Sequence, residues 1–381
     1  MFFICCYLKG DKRMPKGFFV TGGAGFIGSN FIKYILDIDN DNEVICLDKL
    51  TYAGNLKNLE YEIKNYKKRF EFIKGDICNS KLIQSIFDKY NIDYIVNFAA
   101  ESHVDRSIEN PYIFLETNII GVQNLLDIAK NKWEIGEREY KKGVKFLQVS
   151  TDEVYGSLDK DGYFTEDNNI KPNSPYSASK ASADMLVRSY NKTYNLPTLI
   201  TRCSNNYGPY QFPEKLIPLM INNILKGKEL PIYGDGLNVR DWLYVEDHCR
   251  AIDMVLKKGV SGEVYNIGGH NEKNNINIVK TLIKVIRKLL KENKKYKKVV
   301  STDISNITEE LITFVKDRLG HDKRYAIDPT KIKEEIGWEP KIMFKEGIKD
   351  TIKWYLDNQD WLKFVTSGDY KNYYEEMYLN R

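Results

Sequence analysis

A glycine-rich turn between a short apolar strand and a helix constrains this 381-residue chain more than any other feature. Gly17-Phe18-Phe19-Val20-Thr21 reads as a buried strand, and Gly22-Gly23-Ala24-Gly25-Phe26-Ile27-Gly28 turns it into a helix running to about Leu36. The glycines fit both G-x-x-G-x-x-G (Gly22, Gly25, Gly28) and G-x-G-x-x-G (Gly23, Gly25, Gly28). Glycine is needed because the backbone must turn tightly, approach a pyrophosphate and pack helix on strand, with the helix N-terminus facing the phosphates. The pattern alone is weak, and its context decides. A second strand, Glu43-Val44-Ile45-Cys46-Leu47, ends in Asp48, twenty residues after Gly28, where an acid accepts hydrogen bonds from an adenosine ribose. An acid there repels a 2′-phosphate, so the expected dinucleotide is NAD rather than NADP.

The strand–helix rhythm continues. Phe70 to Ile77 reads as a third strand, with Asp76 and Ile77 bordering the adenine, and Tyr94 to Phe98 as a fourth. The latter runs into Ala99-Ala100-Glu101-Ser102-His103, whose small residues let backbone pass close to a cofactor. His103 suits a structural hydrogen bond better than a ligand role. Glu116 to Lys130 reads as a helix whose first turn carries Thr117 and Asn118; Gly143 to Val149 and Pro197 to Arg202 read as strands. Such repeats imply an α/β fold, a Rossmann-type doubly wound parallel sheet with a smaller C-terminal substrate-binding lobe. Prolines at 209, 213, 218 and 231 break the rhythm and put the lobe boundary near 206. Residues 14–205 are the expected dinucleotide domain, to which some later segments return, and 206–381 mainly the second lobe. In that lobe Pro231 to Gly236 reads as a turn cluster, while Arg240 to Val245 and Val264 to Gly269 read as strands. Lys284 to Lys298 reads as a lysine-rich helix with a solvated face. Asp317 to Arg324 gathers basic groups in a glycine turn suited to a diphosphate.

Charge and cysteine usage exclude other classes. With 57 basic and 53 acidic residues the net charge of +4 demands no nucleic acid, and no apolar run reaches membrane-spanning length. The six cysteines have no metal-ligand spacing, so no metal site is expected, and reduced thiols point to the cytoplasm. Residues 1–13 are apolar at first but lack a basic leader and a cleavage site. They read as a disordered extension or an upstream misread start rather than a signal peptide.

The chemistry concentrates between Ser150 and Lys180. Thr151, Asp152 and Glu153 fall where the strand ending at Val149 runs out, and that carboxyl end faces the ligand crevice of an open α/β sheet. Tyr176 and Lys180 follow Pro175 at i, i+4 spacing, so they share one helix face. An ammonium beside a phenol favours the phenolate, which makes Tyr176 a candidate base. Taken singly, Tyr-x-x-x-Lys also arises on ordinary helix surfaces, and Thr-Asp-Glu in helix caps and turns.

With these motifs the sequence resembles the extended short-chain dehydrogenase/reductase superfamily, and within it the dTDP-glucose 4,6-dehydratase family, from about Met14 to the Trp338 region. The resemblance rests on Asp48 to Asn55, Ala99 to Ile108, Thr151 to Gly156, Tyr176 to Lys180, Ser204 to Pro218 and Asn238 to Val245. Thr-Asp-Glu discriminates: related epimerases and decarboxylases share the glycine loop and Tyr-x-x-x-Lys but lack the Asp-Glu pair. The resemblance implies NAD contacts at Gly22, Gly25, Phe26, Ile27, Gly28, Asp48, Lys49, Leu50, Thr51, Asp76, Ile77, Phe98, Ala99, Ala100, Glu101, Ser102, Thr117, Tyr176, Lys180 and Asn206. It implies substrate contacts at Ser102, Thr151, Asn205, Lys215, Leu216, Pro231, Ile232, Tyr233, Arg240, Asn275, Asp317, Arg318, Leu319, Gly320 and His321. The implied catalytic residues are Thr151, Asp152, Glu153, Tyr176 and Lys180. Leu319 departs from the family's usual proline, and a longer lysine-rich segment leaves the alignment of 286–313 open. A homodimer through the helices beginning near Thr117 and Tyr176 is also implied.

The implied reaction explains the set. Oxidising C4 of a dTDP-glucose hexose, with Tyr176 taking the hydroxyl proton and NAD the hydride, makes C5 α to a carbonyl. Glu153 then removes the C5 proton, Asp152 protonates the departing C6 hydroxyl, Thr151 aligns the C4 oxygen, and the hydride returns to C6. Close carboxyls push their pKa values apart, which suits one ionised and one neutral group. Rival expectations are a UDP-sugar dehydratase or 4-epimerase on the same fold, and a non-catalytic NAD-binding regulator, which has no use for all five residues together.

Overall fold

The computed structural model describes residues 16–159, 161–317 and 320–367. The expected extension at 1–13, Arg318 and Leu319 lie outside the described residues. Seven strands make the central sheet: β1 (Gly17–Thr21), β2 (Glu43–Asp48), β3 (Phe70–Lys74), β4 (Tyr94–Asn97), β5 (Lys145–Thr151), β6 (Thr198–Cys203) and β7 (Val264–Ile267). Their order is β7-β6-β5-β4-β1-β2-β3, and every pairing is parallel. Parallel strands covered on both faces need apolar residues at successive positions, and all five residues of β1 are buried. Phe18 and Val20 pack under α1 (Phe26–Ile38), whereas Phe19 turns to the opposite face, towards α2 (Gly121–Trp133) and α3 (Pro175–Tyr194). The strand order reverses between β1 and β4, and a cleft opens at such a switch point beyond the strands' carboxyl ends.

The chain leaves this sheet after β6 and comes back to it. α4 (Val245–Lys258) packs against α1, and β7 pairs with β6. The remaining segments build a second core around the helices Leu216–Lys226, Asn275–Glu292, Phe344–Asp357 and Gln359–Val365, with Ile221, Leu282, Ile286, Ile352 and Tyr355 buried between them. Among the described residues no helix is long and apolar enough to cross a membrane.

Four elements differ from the sequence reading. The third strand stops at Lys74, because Asp76 Oδ1 accepts a hydrogen bond from Cys78 N at 2.9 Å and turns the chain. The helix expected from Glu116 begins at Pro111, which suits a first helical position, and passes through a π-turn at Glu116–Ile120 before α2. Thr117 and Asn118 therefore sit mid-helix. Half of the Pro231–Gly236 turn cluster is strand: Leu230–Tyr233 pairs in parallel with Ile312–Val315, and only Gly234 and Gly236 take positive φ, +57° and +71°. The lysine-rich helix spans Asn275–Glu292, earlier than read, and buries Ile278, Leu282, Ile286 and Leu289 as one stripe.

Candidate active site

The cleft has a volume of about 320 Å3 and follows the ends of β1 to β6. Every expected cofactor residue except Leu50 lines it. The glycine turn has no room for side chains: a Cβ on Gly22 (φ +69°) would lie 2.5 Å from Ala99 N, and one on Gly28 2.4 Å from Gly22 O. No side chain caps α1, so its first turn offers N–H groups to an anion. Asp48 is buried, with Oδ2 accepting from Ala24 N at 2.9 Å and Oδ1 from Leu50 N at 2.7 Å. Leu50 thus holds the carboxylate from behind. Burial raises the Asp48 pKa, while these two bonds pull it down; each oxygen keeps lone-pair capacity for a ribose hydroxyl. Lys49 pairs with Asp76 at 2.7 Å on the rim. These residues fit an NAD-type dinucleotide.

The π-turn also has a task at the cleft. Asn118 accepts from Glu101 N at 2.9 Å and donates to Glu101 O at 3.0 Å and Ser179 Oγ at 2.8 Å. It ties the β4 end to α3 and leaves Thr117 on the cleft wall.

Thr151 ends β5, and Asp152–Tyr155 forms one 3-10 turn capped by Thr151 Oγ1, which accepts from Glu153 N at 3.3 Å. Thr151 Oγ1 also donates to Asp152 Oδ1 at 3.2 Å. Asp152 is 2% exposed, and its Oδ2 has no hydrogen-bond partner among the described residues. Burial first, and the Glu153 charge second, push the Asp152 pKa well above its ordinary value, which favours the protonated form. On α3, Ser174 and Ser177 make a reciprocal capping box with Pro175 at the first turn, which fixes where Tyr176 and Lys180 point. Lys180 Nζ donates to Val149 O at 2.8 Å.

Burial dominates the charge balance at Tyr176. Its pKa is raised, by burial first and then by the Glu153 charge, while a hydrogen bond with Thr151 pulls it down. Lys180 is itself desolvated, which lowers its pKa to about 8, while the Asp184 charge pulls it back up.

Of the expected substrate residues, Ser102, Thr151, Asn205 and Lys215 line the cleft, and Lys215 Nζ donates to Ser102 O at 3.1 Å. Leu216, Pro231, Ile232, Tyr233, Arg240, Asn275, Asp317, Gly320 and His321 do not; all follow the point where the chain leaves the central sheet after β6. Tyr233 Oη is 3.5 Å from Asp105 Oδ2, its ring is edge-on to His321, and His321 Nδ1 lies 2.6 Å from Asp317 Oδ1. Gly320 takes φ +62°, and Asn275 starts its helix with N donating to Asn238 O at 3.1 Å. Arg240 donates to Asp322 O at 2.9 Å, lies over the Tyr325 ring, and its charge lowers the Asp152 pKa, so this cluster adjoins the turn of Asp152 and Glu153. His103 is buried 3.9 Å from Asp105.

Sequence reasoning missed Ser150, Cys203, Ser204, Gln211, Phe212 and Glu214 on the cleft wall. Glu214 is buried 3.5 Å from Arg106, and burial raises its pKa to about 7. A charged residue directly before Lys215 was the available signal.

A switch-point cleft with an acid on β2, lined by the turn of Thr151, Asp152 and Glu153 and by Tyr176 and Lys180, defines an extended short-chain dehydrogenase/reductase. The family model described as GDP-mannose 4,6 dehydratase matches residues 19–351, and the chain belongs to that family. It is 49% identical over 371 residues to a dTDP-glucose 4,6-dehydratase of Shigella flexneri, covering 95% of this chain and 99% of the relative. It is 50% identical over 353 residues to that of Neisseria meningitidis serogroup B, covering 92% and 96%. Among solved structures, dTDP-glucose 4,6-dehydratase of Bacillus anthracis in complex with NAD superposes with a TM-score of 0.79 at 48% identity, covering 92% of this chain and 99% of that one. UDP-glucose 4-epimerase of Thermotoga maritima gives 0.76 at 29% identity, covering 90% and 99%.

Proposed function

We infer that this chain is an NAD-dependent hydro-lyase, a dTDP-glucose 4,6-dehydratase that yields dTDP-4-keto-6-deoxyglucose and water. The observation that carries the reading is the buried Asp152 beside Glu153 on one turn, lining the same cleft as Tyr176. Bound NAD supplies the acceptor for the C4 hydride and the donor that returns it to C6. The side chains handle the protons. Tyr176 takes the C4 hydroxyl proton, helped by Thr151, whose hydrogen bond favours the ionised phenol. Glu153 removes the C5 proton once C4 is a ketone, and Asp152 gives its proton to the leaving C6 hydroxyl. Lys180, anchored on Val149 O, orients the tyrosine. A 4-epimerase needs no acid beside a base, and the Asp-Glu pair argues against that alternative.

The glycine turn at Asp317 to His321, with Arg240 and Lys215, takes the diphosphate and sugar. A homodimer is supported by an apolar face on adjoining helices: Tyr112, Leu115, Ile120 and Met185 are 68%, 47%, 55% and 50% exposed. Free thiols at Cys46, Cys78, Cys203 and Cys249 accord with a reducing, cytoplasmic setting. The test is to offer dTDP-glucose, UDP-glucose and GDP-mannose without added NAD and weigh the products. Loss of one water from dTDP-glucose, far faster than from the others, is expected; an unchanged mass with an inverted C4 would establish the epimerase.

A further inference from the structure

Beneath the acid-base turn lies a buried charged cluster that the proton transfers do not use. Arg202 on β6 donates from Nε to Asp184 Oδ2 at 2.9 Å and from Nη1 to Tyr155 Oη at 2.9 Å. Tyr155 Oη donates in turn to Asn266 Oδ1 on β7 at 2.8 Å. Asn266 is held from two more sides, with Nδ2 donating to Phe164 O at 3.1 Å and N to Glu166 Oε1 at 2.7 Å. Asp184, Arg202, Tyr155 and Asn266 are 1%, 5%, 2% and 0% exposed, so the pair sits fully out of water. A buried ion pair is a poor source of stability, since desolvating each ion costs several kcal/mol and apolar residues of equal volume often serve as well. Its use lies in what it joins.

Tyr155 closes the 3-10 turn that begins at Asp152, so the phenol hangs from the same turn as Asp152 and Glu153. Asp184 stands one helical turn beyond Lys180 on α3, and its charge also supports the Lys180 ammonium. Arg202 pairs in register with Ser150 at the end of β5. One guanidinium fork therefore spans the two halves of the chemistry and sets their separation. The halves differ in their other supports. α3 has 20 residues, a capping box and the Lys180–Val149 bond. The turn has 4 residues, is capped by a 3.3 Å bond from Glu153 N to Thr151, and is held from outside by one backbone bond, Lys171 N to Val154 O at 3.0 Å, and by the small apolar cluster around Val154 and Tyr155.

We propose that Tyr155, Arg202, Asp184 and Asn266 are positioning residues for the elimination step: they hold the turn of Asp152 and Glu153 against the helix of Tyr176 and Lys180. This rests on the dehydratase reading above. Misplacing reacting groups by about 1 Å costs on the order of 10²-fold in rate, and a turn loosened on one side loses part of that. The oxidation, carried by α3, is spared.

The test is Tyr155→Phe, which keeps the ring stacked on Phe164 (centroids 5.1 Å apart) but removes the hydroxyl that links Arg202 to Asn266. Asn266→Ser takes away the hydroxyl's acceptor while leaving the ion pair, and serves if the first variant does not fold. Phe164→Leu removes the stack and no polar side chain, and is the packing control. NAD-loaded protein is mixed with dTDP-glucose in a single turnover, following reduced nicotinamide by absorbance and dehydrated product by mass. Tyr155→Phe should keep its KM and its rate of cofactor reduction, yet form dehydrated product roughly tenfold more slowly, so reduced cofactor accumulates. Asn266→Ser should accumulate it to a smaller extent, and Phe164→Leu should lower the melting temperature without accumulation. Product formation at the unmodified rate, slowing without accumulation, or equal accumulation in Phe164→Leu would each overturn the proposal. If the unmodified protein releases no water from dTDP-glucose, the dehydratase reading falls first and takes this inference with it.

Discussion

Replacing Asp152 by asparagine separates acid catalysis from everything else the cleft does. The carboxyl is buried, and burial and the Glu153 charge shift it towards its protonated form, whose shape an amide reproduces. The contact from Thr151 Oγ1 to Oδ1, now 3.2 Å, survives because the amide oxygen still accepts. The other position, Oδ2, has no hydrogen-bond partner among the described residues to lose. What disappears is the proton for the C6 hydroxyl, and a positioned acid is worth about 10²–10⁴ in rate, or roughly 2.7–5.4 kcal/mol of barrier. Oxidation at C4 depends on Tyr176 and is untouched. Stopped-flow mixing of NAD-loaded Asp152→Asn with dTDP-glucose should show reduction of the nicotinamide at close to the unmodified rate, followed by slow decay. Quenched samples should contain a 4-keto sugar that keeps its C6 hydroxyl. The pH profile carries the same signature. Elimination needs protonated Asp152, so it should fail as pH rises through that raised pKa, and this alkaline limb should vanish in the asparagine variant. Dehydrated product at the unmodified rate would refute the acid role; no reduction of the cofactor would show that Asp152 acts earlier.

Asp48→Ala should weaken NAD by about 10-fold or more, the value of a hydrogen bond to a charged acceptor, and narrow the preference over NADP; titration of cofactor-free protein measures both. His248 is fully buried with Nδ1 2.9 Å from Asn206 Oδ1, and burial lowers its pKa from 6.5 to about 3. The unfolded chain takes up a proton below about 6.5 that the folded chain refuses until about 3, so stability should fall across that window, and His248→Gln should flatten the fall in urea melts at stepped pH. Leu115→Glu puts a charge into the exposed apolar face of the helical run at 111–133 and should leave a folded monomer in sedimentation velocity, whereas a persistent dimer would place the interface elsewhere.

Much of this was legible because it is local. Gly22, Gly28 and Asp48 announce themselves through spacing, since a tight turn, a close approach and a strand-end acid each demand one residue type at one place. Thr151 to Glu153 could be placed because a short β-branched run ends just before them. What was lost depends on distant partners. Leu230–Tyr233 is strand because Ile312–Val315 lies beside it, and nothing around Pro231 reports a partner some eighty residues on. Gln211, Phe212 and Glu214 reach the cleft on a segment that crosses back from the second lobe. The π-turn at Glu116–Ile120 inserts no unusual residue, so periodicity passes over it. The effect of burial on Tyr176 and Lys180 was not legible, because i, i+4 spacing shows who is near but not how dry the place is. The same blindness hid the Arg202–Asp184 pair, whose burial no composition reveals.

The central claim is that oxidation, elimination and reduction occur on one sugar without the hydride leaving the protein. dTDP-glucose carrying deuterium at C4, turned over in ordinary water and examined by proton and deuterium NMR, tests it directly. The account predicts that the deuterium reappears in the C6 methyl group while C5 takes its hydrogen from solvent. Deuterium released to water, or product whose methyl group carries none, would contradict it.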